Sequence, residues 1–366
     1  MSIPFNDLSR AALESAEDLK AIVERVILSG RYVLDSEVAA FEKAFASFVG
    51  VPYAVGVNSG TDAIFLGLRA LDIKSGDEVV TVANTATATI AAIRMTGATP
   101  VFTDIDTSYT MDPNDLERRI TPKTKAILPV HLYGFPADMH RISSIAKKRG
   151  LPILEDAAQA HGATIGERTV GRWGDIAAYS FYPTKNLGAL GDAGAIATNN
   201  EHLAERMRRL RAYGEKARYE SVEEGVNSRL DELQAAILTY SLSRLPVRNA
   251  RRRQIAEQYL MSIDNPAVTL PKQTEGERKG VWHLFVVEVD YREHFIEHMT
   301  QEKIGTAIHY PMPAYRQKAY SFLNVNPADY PVTERTAPRI VSIPLFPELK
   351  DEEVDAIIAA VNSYVR

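Results

Sequence analysis

Lys185 comes just after an apolar β-like run and just before Gly188, Gly191 and Gly194, with Ser180 five residues upstream. A lysine amine becomes a nucleophile, able to form a Schiff base with a carbonyl, when desolvation or a neighbouring positive charge holds it neutral. Taken alone, a solvated loop lysine is the plain reading. Two other stretches carry matching chemistry. Asn58-Ser59-Gly60-Thr61 lies at a strand-to-helix turn, where free N–H groups and the positive end of the helix dipole suit a phosphate. Simple capping by Ser59 or Thr61 explains the same residues. Asp156 closes the apolar run Leu151-Pro-Ile-Leu154 with Glu155, so a carboxylate stands at a strand end, where it can also cap the following turn. His161, a few residues on, serves equally well as a structural histidine.

Several chemistries are disfavoured or excluded. With no cysteine in 366 residues, disulfides, thiolate catalysis and cysteine–metal sites are impossible. The glycines follow Lys185 rather than precede it, so there is no P-loop, and Gly188 to Gly194 lack the spacing of a dinucleotide fingerprint. His294, Glu297 and His298 share a helix face without a third ligand, which favours a solvated face over zinc; no metal site is expected. No Gly-x-Ser-x-Gly elbow supports a hydrolase. A net charge of -5 leaves no basic surplus for nucleic acid, and the arginines at 206, 208, 209, 211, 248 and 251 to 253 read as solvated helix faces. The start Met1-Ser-Ile-Pro-Phe-Asn-Asp7 has neither the basic end nor the apolar run of a signal peptide, and no apolar stretch reaches bilayer length. The expectation is a soluble, cytoplasmic protein.

The elements that must position these residues alternate. Strands are predicted over 53–57, 78–83, 100–104, 126–129, 151–155, 176–180 and 193–198, separated by helices over 61–71, 87–95 and 139–149. That order predicts an α/β fold with a mostly parallel sheet covered on both faces, whose ligands gather at the carboxyl ends of the strands. After about residue 228 the pattern becomes a long helical stretch to 261, interrupted near Leu245-Pro246. It continues with strands over 281–289 and 306–309 and helices over 293–303 and 351–365. Two domains are expected: a large one over 1–245 and a smaller α+β one over 246–366.

An amine at one strand end, a carboxylate at another and a phosphate-ready turn are the parts a pyridoxal phosphate site needs. The chain also resembles, over nearly its full length, the DegT-type sugar aminotransferases, a fold-type I pyridoxal-phosphate-dependent family. The resemblance rests on Gly30-Arg-Tyr32, Asn58-Ser-Gly-Thr-Asp-Ala63, Pro129-Val-His-Leu-Tyr-Gly134 and Glu155-Asp-Ala-Ala-Gln-Ala-His-Gly162. It continues through Ser180-Phe-Tyr-Pro-Thr-Lys-Asn-Leu-Gly188, Asn227-Ser-Arg-Leu-Asp-Glu-Leu-Gln-Ala-Ala236 and His309-Tyr-Pro311.

The resemblance implies a role for each matching residue. Lys185 holds the cofactor aldehyde and moves the proton, Asp156 pairs with the pyridine N–H, and Gln159 bonds the ring's phenolic oxygen. Gly60, Thr61 and Ser180 hold the phosphate, and Asn227 reaches the phosphate of a neighbouring subunit, which implies a homodimer with shared sites. It further implies L-glutamate as amino donor and a keto-sugar nucleotide as acceptor, with C3 of a dTDP-3-oxo-6-deoxyhexose closest. A C4 aminotransferase of a GDP- or UDP-4-keto-sugar and a non-catalytic regulatory paralogue are the alternatives. Three positions depart from the family pattern. Ala86 stands where an aromatic stacks on the cofactor ring, Asp35-Ser36 where a glycine often occurs, and Tyr315 where C3-type members often carry histidine.

Overall fold

The computed structural model describes residues 2–272 and 276–365. Seven strands form the central layer: β1 (Tyr53–Val57), β2 (Glu78–Val82), β3 (Thr99–Thr103), β4 (Thr124–Leu128), β5 (Leu154–Asp156), β6 (Ile176–Ser180) and β7 (Gly194–Thr198). They pair as β3-β2-β4 and β1-β7-β6-β5, and parallel bridges Ile127–Ile153 and Val130–Asp156 join the two groups. Only β7 runs against its neighbours, antiparallel to both β1 and β6. The strands are almost wholly buried, as their richness in Val, Ile and Ala requires when helices cover both faces.

Helices Gly60–Ala70 and Thr87–Met95 follow β1 and β2 and begin at the carboxyl edge of the sheet. Asp156 and Ser180 are the last residues of β5 and β6, so both side chains end up at that same edge. Two glycines let the backbone close there. A Cβ at Gly60 would sit 2.6 Å from Ser180 Cβ, and one at Gly194 would sit 2.4 Å from the Ser59 carbonyl. The start of β7, the end of β6 and the helix N-terminus therefore meet without side chains between them.

The second core is built on a small antiparallel sheet of β8 (Val268–Thr269), β9 (Phe285–Val289) and β10 (Ile340–Ile343), packed with helices Arg292–Gln301 and Asp351–Ser363. One helix, Glu232–Ser262, serves both cores. Leu238, Leu242 and Leu245 pack with Phe41, Phe45 and Phe181 below the main sheet, while Ile255, Ala256 and Tyr259 join Phe285 and Ile357 in the second core.

The expected interruption at Pro246 does not occur: the helix runs through it. A proline there removes one backbone donor, but Leu238, Leu242 and Leu245 pack the helix before it and polar contacts anchor the helix after it. Asn249 donates to the His161 carbonyl at 2.8 Å, and Arg252 donates to the carbonyls of Trp282 and Leu345 at 3.2 and 2.8 Å. Two further expectations are corrected. Residues 306–309 contribute only an isolated bridge, Ala307 to Ser342, rather than a strand. Arg211 and Arg252 are buried rather than solvated; Arg211 is held by Glu42 and by the Gly56 carbonyl.

Candidate active site

A cavity of about 220 Å³ opens at the carboxyl edge of the sheet, lined in part by Gly60, Thr61, Asp156, Gln159, Ser180 and Lys185. Six of the seven expected site residues, drawn from three separate segments, meet there. Asn227 does not; it is exposed and forms a backbone bridge to Ala212.

Each residue is placed for a local reason. Ser59 caps the helix by accepting the Asp62 N–H at 3.1 Å. Gly60 and Thr61 are the first helical residues, so their N–H groups have no intrahelical acceptor and face an anion-favouring end. The cap is made by Ser59, which leaves the N–H groups of Gly60 and Thr61 free of it. Lys185 sits in the loop after β6, where its N–H bonds to the Tyr182 carbonyl at 2.8 Å.

Burial pushes the Lys185 amine down to about 8, a shift partly opposed by the charge of Asp156. Three imidazoles surround this charge and stay neutral. Burial pushes His161 down to about 3 and His309 to about 4, and holds His283 well below its usual range; the Lys185 charge adds to each. Asp156 is buried, and burial raises its carboxyl. A Thr89 hydroxyl at 2.9 Å, the Ala158 N–H at 3.2 Å and the charge of Lys185 oppose that rise. Gln159 is buried as well. Its Oε1 accepts the Tyr133 N–H at 2.6 Å and its Nε2 donates to the Tyr310 hydroxyl at 3.2 Å.

These residues suit pyridoxal phosphate. The paired N–H groups beside the Ser180 hydroxyl form a phosphate seat that a side chain at position 60 would fill. A buried carboxylate of raised pKa is stabilised by a cationic N–H opposite it, and an amine titrating near 8 is easily presented in its nucleophilic form. Thr89, Tyr133 and Tyr310 were not foreseen. Tyr133 and Tyr310 lie within Pro129–Gly134 and His309–Pro311, two of the stretches that carry the resemblance, and for Thr89 the available signal was its four-residue spacing from Thr85, whose hydroxyl lies 3.0 Å away at the start of a helix. Ala86 lines the cavity together with Ala88, Val130 and Leu132, and the only aromatic residue on its wall among the described residues is Tyr182.

The profile of the DegT/DnrJ/EryC1/StrS aminotransferase family matches residues 14–362, and the chain belongs to that family. It is a pyridoxal-phosphate-dependent aminotransferase with the fold-type I architecture. It is 48% identical over 363 residues to the dTDP-3-amino-3,6-dideoxy-alpha-D-galactopyranose transaminase of Aneurinibacillus thermoaerophilus, covering 99% of each chain. Its structure superposes on DesV of Streptomyces venezuelae, crystallised in complex with a ketimine intermediate, with a TM-score of 0.97, 42% identity and full coverage of both chains. NtdA of Bacillus subtilis, solved with bound PMP, follows at a TM-score of 0.92 and 32% identity, covering 98% of this chain and 84% of that one. No helix among the described residues is long and apolar enough to cross a membrane.

Proposed function

We propose that this nucleotide-sugar aminotransferase takes its amino group from L-glutamate and delivers it to C3 of a dTDP-3-oxo-6-deoxyhexose. The observation that carries the chemistry is the meeting of Lys185, Asp156, Gln159, Ser180 and the Gly60–Thr61 turn around one cavity. The sugar is taken from the relatives, foremost the 3-amino-3,6-dideoxygalactose transaminase.

The bound cofactor supplies an electron sink for the charge left at carbon when a proton is removed from the amino donor. Lys185 is the attachment point for the cofactor aldehyde. Its amine would also be the group placed to accept the proton from the donor carbon and return it. Its depressed pKa leaves a useful share of free base at neutral pH. Asp156 would hold the proton on the pyridine nitrogen, Gln159 would donate to the phenolic oxygen, and Gly60, Thr61 and Ser180 would hold the phosphate. Glutamate leaves as 2-oxoglutarate, and the keto carbon of the sugar gains the nitrogen, so one site serves both half-reactions.

In this reading the active unit is a cytoplasmic homodimer, with Asn227 reaching the partner's phosphate site. Exposure of Asn227 supports it, as does the groove of about 750 Å³ just before it, lined by Tyr213, Val222 and Val226. The test is a two-stage assay of the loaded enzyme. L-glutamate should discharge its visible absorbance with stoichiometric 2-oxoglutarate, and a panel of dTDP-, GDP- and UDP-keto-sugars should then restore it. Restoration by dTDP-3-keto-6-deoxyhexoses is expected. Restoration only by 4-keto-sugars would overturn the acceptor, and absence of the glutamate step would overturn L-glutamate as the donor.

A further inference from the structure

Gln159 is an amide with two chemically different ends, and its neighbours decide which end faces what. The Tyr133 N–H can only donate, so at 2.6 Å it must meet the amide oxygen, which directs the NH2 group away from Tyr133. One of the two amide hydrogens then goes to the Tyr310 hydroxyl at 3.2 Å. The second is left for an acceptor in the cavity that Gln159 lines.

Tyr133 cannot easily turn away. It is fully buried in the left-handed region at φ 59°, and its own hydroxyl donates to the His309 carbonyl. A bulky residue held at that backbone angle persists only where its surroundings over-determine it. The next residue, Gly134, has no room for a side chain, because a Cβ would lie 2.9 Å from the His283 nitrogen and 3.0 Å from the Gln159 carbonyl. Residues 309 and 310, the latter 151 positions beyond Gln159, touch both ends of the arrangement: the His309 carbonyl anchors Tyr133, and the Tyr310 hydroxyl takes one amide hydrogen.

We propose that Tyr310 is a positioning residue for the cofactor, fixing the Gln159 amide so that its remaining N–H is presented to the ring's phenolic oxygen. The proposal rests on the reading that Gln159 holds that oxygen. Tyr310 stays a neutral phenol at working pH, since burial and the nearby Asp156 charge push it up to about 12. It can therefore keep accepting from Gln159 throughout the range in which the enzyme operates.

A donor on the phenolic oxygen draws charge away from it and weakens its hold on the proton at the nitrogen of cofactor-linked Lys185. Removing the donor should raise the apparent pKa of the visible absorbance band. The experiment is a spectrophotometric pH titration of the cofactor-loaded protein as wild type, Tyr310→Phe, Gln159→Leu and the double variant. Tyr310→Phe should raise the midpoint by roughly half a unit to one unit, the scale of one weakened hydrogen bond. Gln159→Leu should raise it further, and the double variant should match Gln159→Leu.

A shift in Gln159→Leu with none in Tyr310→Phe overturns the proposal and leaves the reading of Gln159 standing. An additional shift in the double variant also overturns it, because Tyr310 would then act on the ring independently. No shift in Gln159→Leu refutes the reading of Gln159 itself, and the proposal with it. If Gln159→Leu does not retain cofactor, Gln159→Glu replaces it, since it keeps the acceptor for the Tyr133 N–H, lacks the amide hydrogens and is expected to move the midpoint in the same direction. A purely structural role for Tyr310 would lower the melting temperature without moving the titration.

Discussion

Glu155 and Asp156 are adjacent carboxylates on one short strand, both buried, yet they do opposite work. Strand geometry sends them to opposite faces. Glu155 accepts N–H groups from Gly171, Trp173 and Gly174 at 2.8–2.9 Å and pairs with His131 Nε2 at 3.0 Å. Burial alone would raise its carboxyl, but the His131 hydrogen bond and the backbone donors outweigh burial and hold it below the usual range. The Ala137 N–H donates to His131 Nδ1, so Nε2 carries the hydrogen that Glu155 accepts. Asp156 has two donors, Thr89 and Ala158, and its carboxyl moves up rather than down. A buried carboxylate that the protein has fully satisfied is a brace. One left partly satisfied at the edge of a cavity is available to a ligand.

The sharpest way to test that contrast begins with the residue facing Asp156. Lys185→Ala should lower turnover by at least about 10³-fold, the scale of removing a general acid–base group that is also a nucleophile. Borohydride should then fix no cofactor at position 185. Turnover within tenfold of wild type would place the chemistry elsewhere.

The carboxylates themselves come next. Asp156→Asn should cut kcat by about 10²-fold, because a neutral amide no longer stabilises the cationic ring, while the melting temperature stays nearly unchanged. Glu155→Gln should do the reverse. Turning an acceptor-only group into one that also presents N–H to N–H should cost about 2–4 kcal/mol of stability in denaturant titration. Its kcat per folded molecule should stay within a few-fold of wild type. Equal stability losses in both variants would erase the distinction.

The two regions were not equally legible in the sequence. Asp156, Ser180, Lys185, Gly60 and Thr61 were readable because each ends a strand, follows one or opens a helix, positions that local periodicity can locate. Thr89 lies 67 residues from Asp156, and Tyr310 lies 151 from Gln159; both contacts depend on how distant segments dock. The brace on Glu155 was invisible for a similar reason, being made by backbone N–H groups of a loop that carries no motif. The reversed direction of β7 could not be read either, since Gly-Ala-Ile-Ala-Thr is equally apolar in both directions. A helix through Pro246 contradicts a sound local rule, and only the packing on both sides explains it.

Acid stability probes the electrostatics around Lys185. His161 is neutral and fully buried between Tyr179 and Phe181, with its folded pKa near 3 against an unfolded value near 6.5. Between those values the unfolded chain binds the proton and the native one does not, so stability falls as pH drops below about 6.5 and is insensitive to this group above it. Replacing the imidazole with a ring that cannot be protonated, His161→Phe, should flatten the loss between pH 6 and about 4 by the order of 1–3 kcal/mol. A wild-type profile that is flat over this range would contradict the buried neutral state.

The smallest effect concerns the wall of the cavity that carries no aromatic. Ala86 is partly buried and precedes the helix Thr87–Met95 in an extended conformation, φ -61° and ψ 142°, which any larger residue adopts without strain. Its neighbours on the wall are small or aliphatic: Ala88, Val130 and Leu132. An aromatic ring introduced there adds stacking worth about 0.5–1.5 kcal/mol to a bound pyridine ring. Ala86→Phe should therefore slow cofactor loss on dialysis by roughly 2- to 10-fold at an unchanged titration of the visible band, since neither Asp156 nor Gln159 is touched. Faster loss would mean that the aliphatic wall already packs the ring and that a phenyl group crowds it. In that case the space beside Ala86 is shaped for this cofactor by aliphatic packing, and the departure from the aromatic pattern is compensated rather than tolerated.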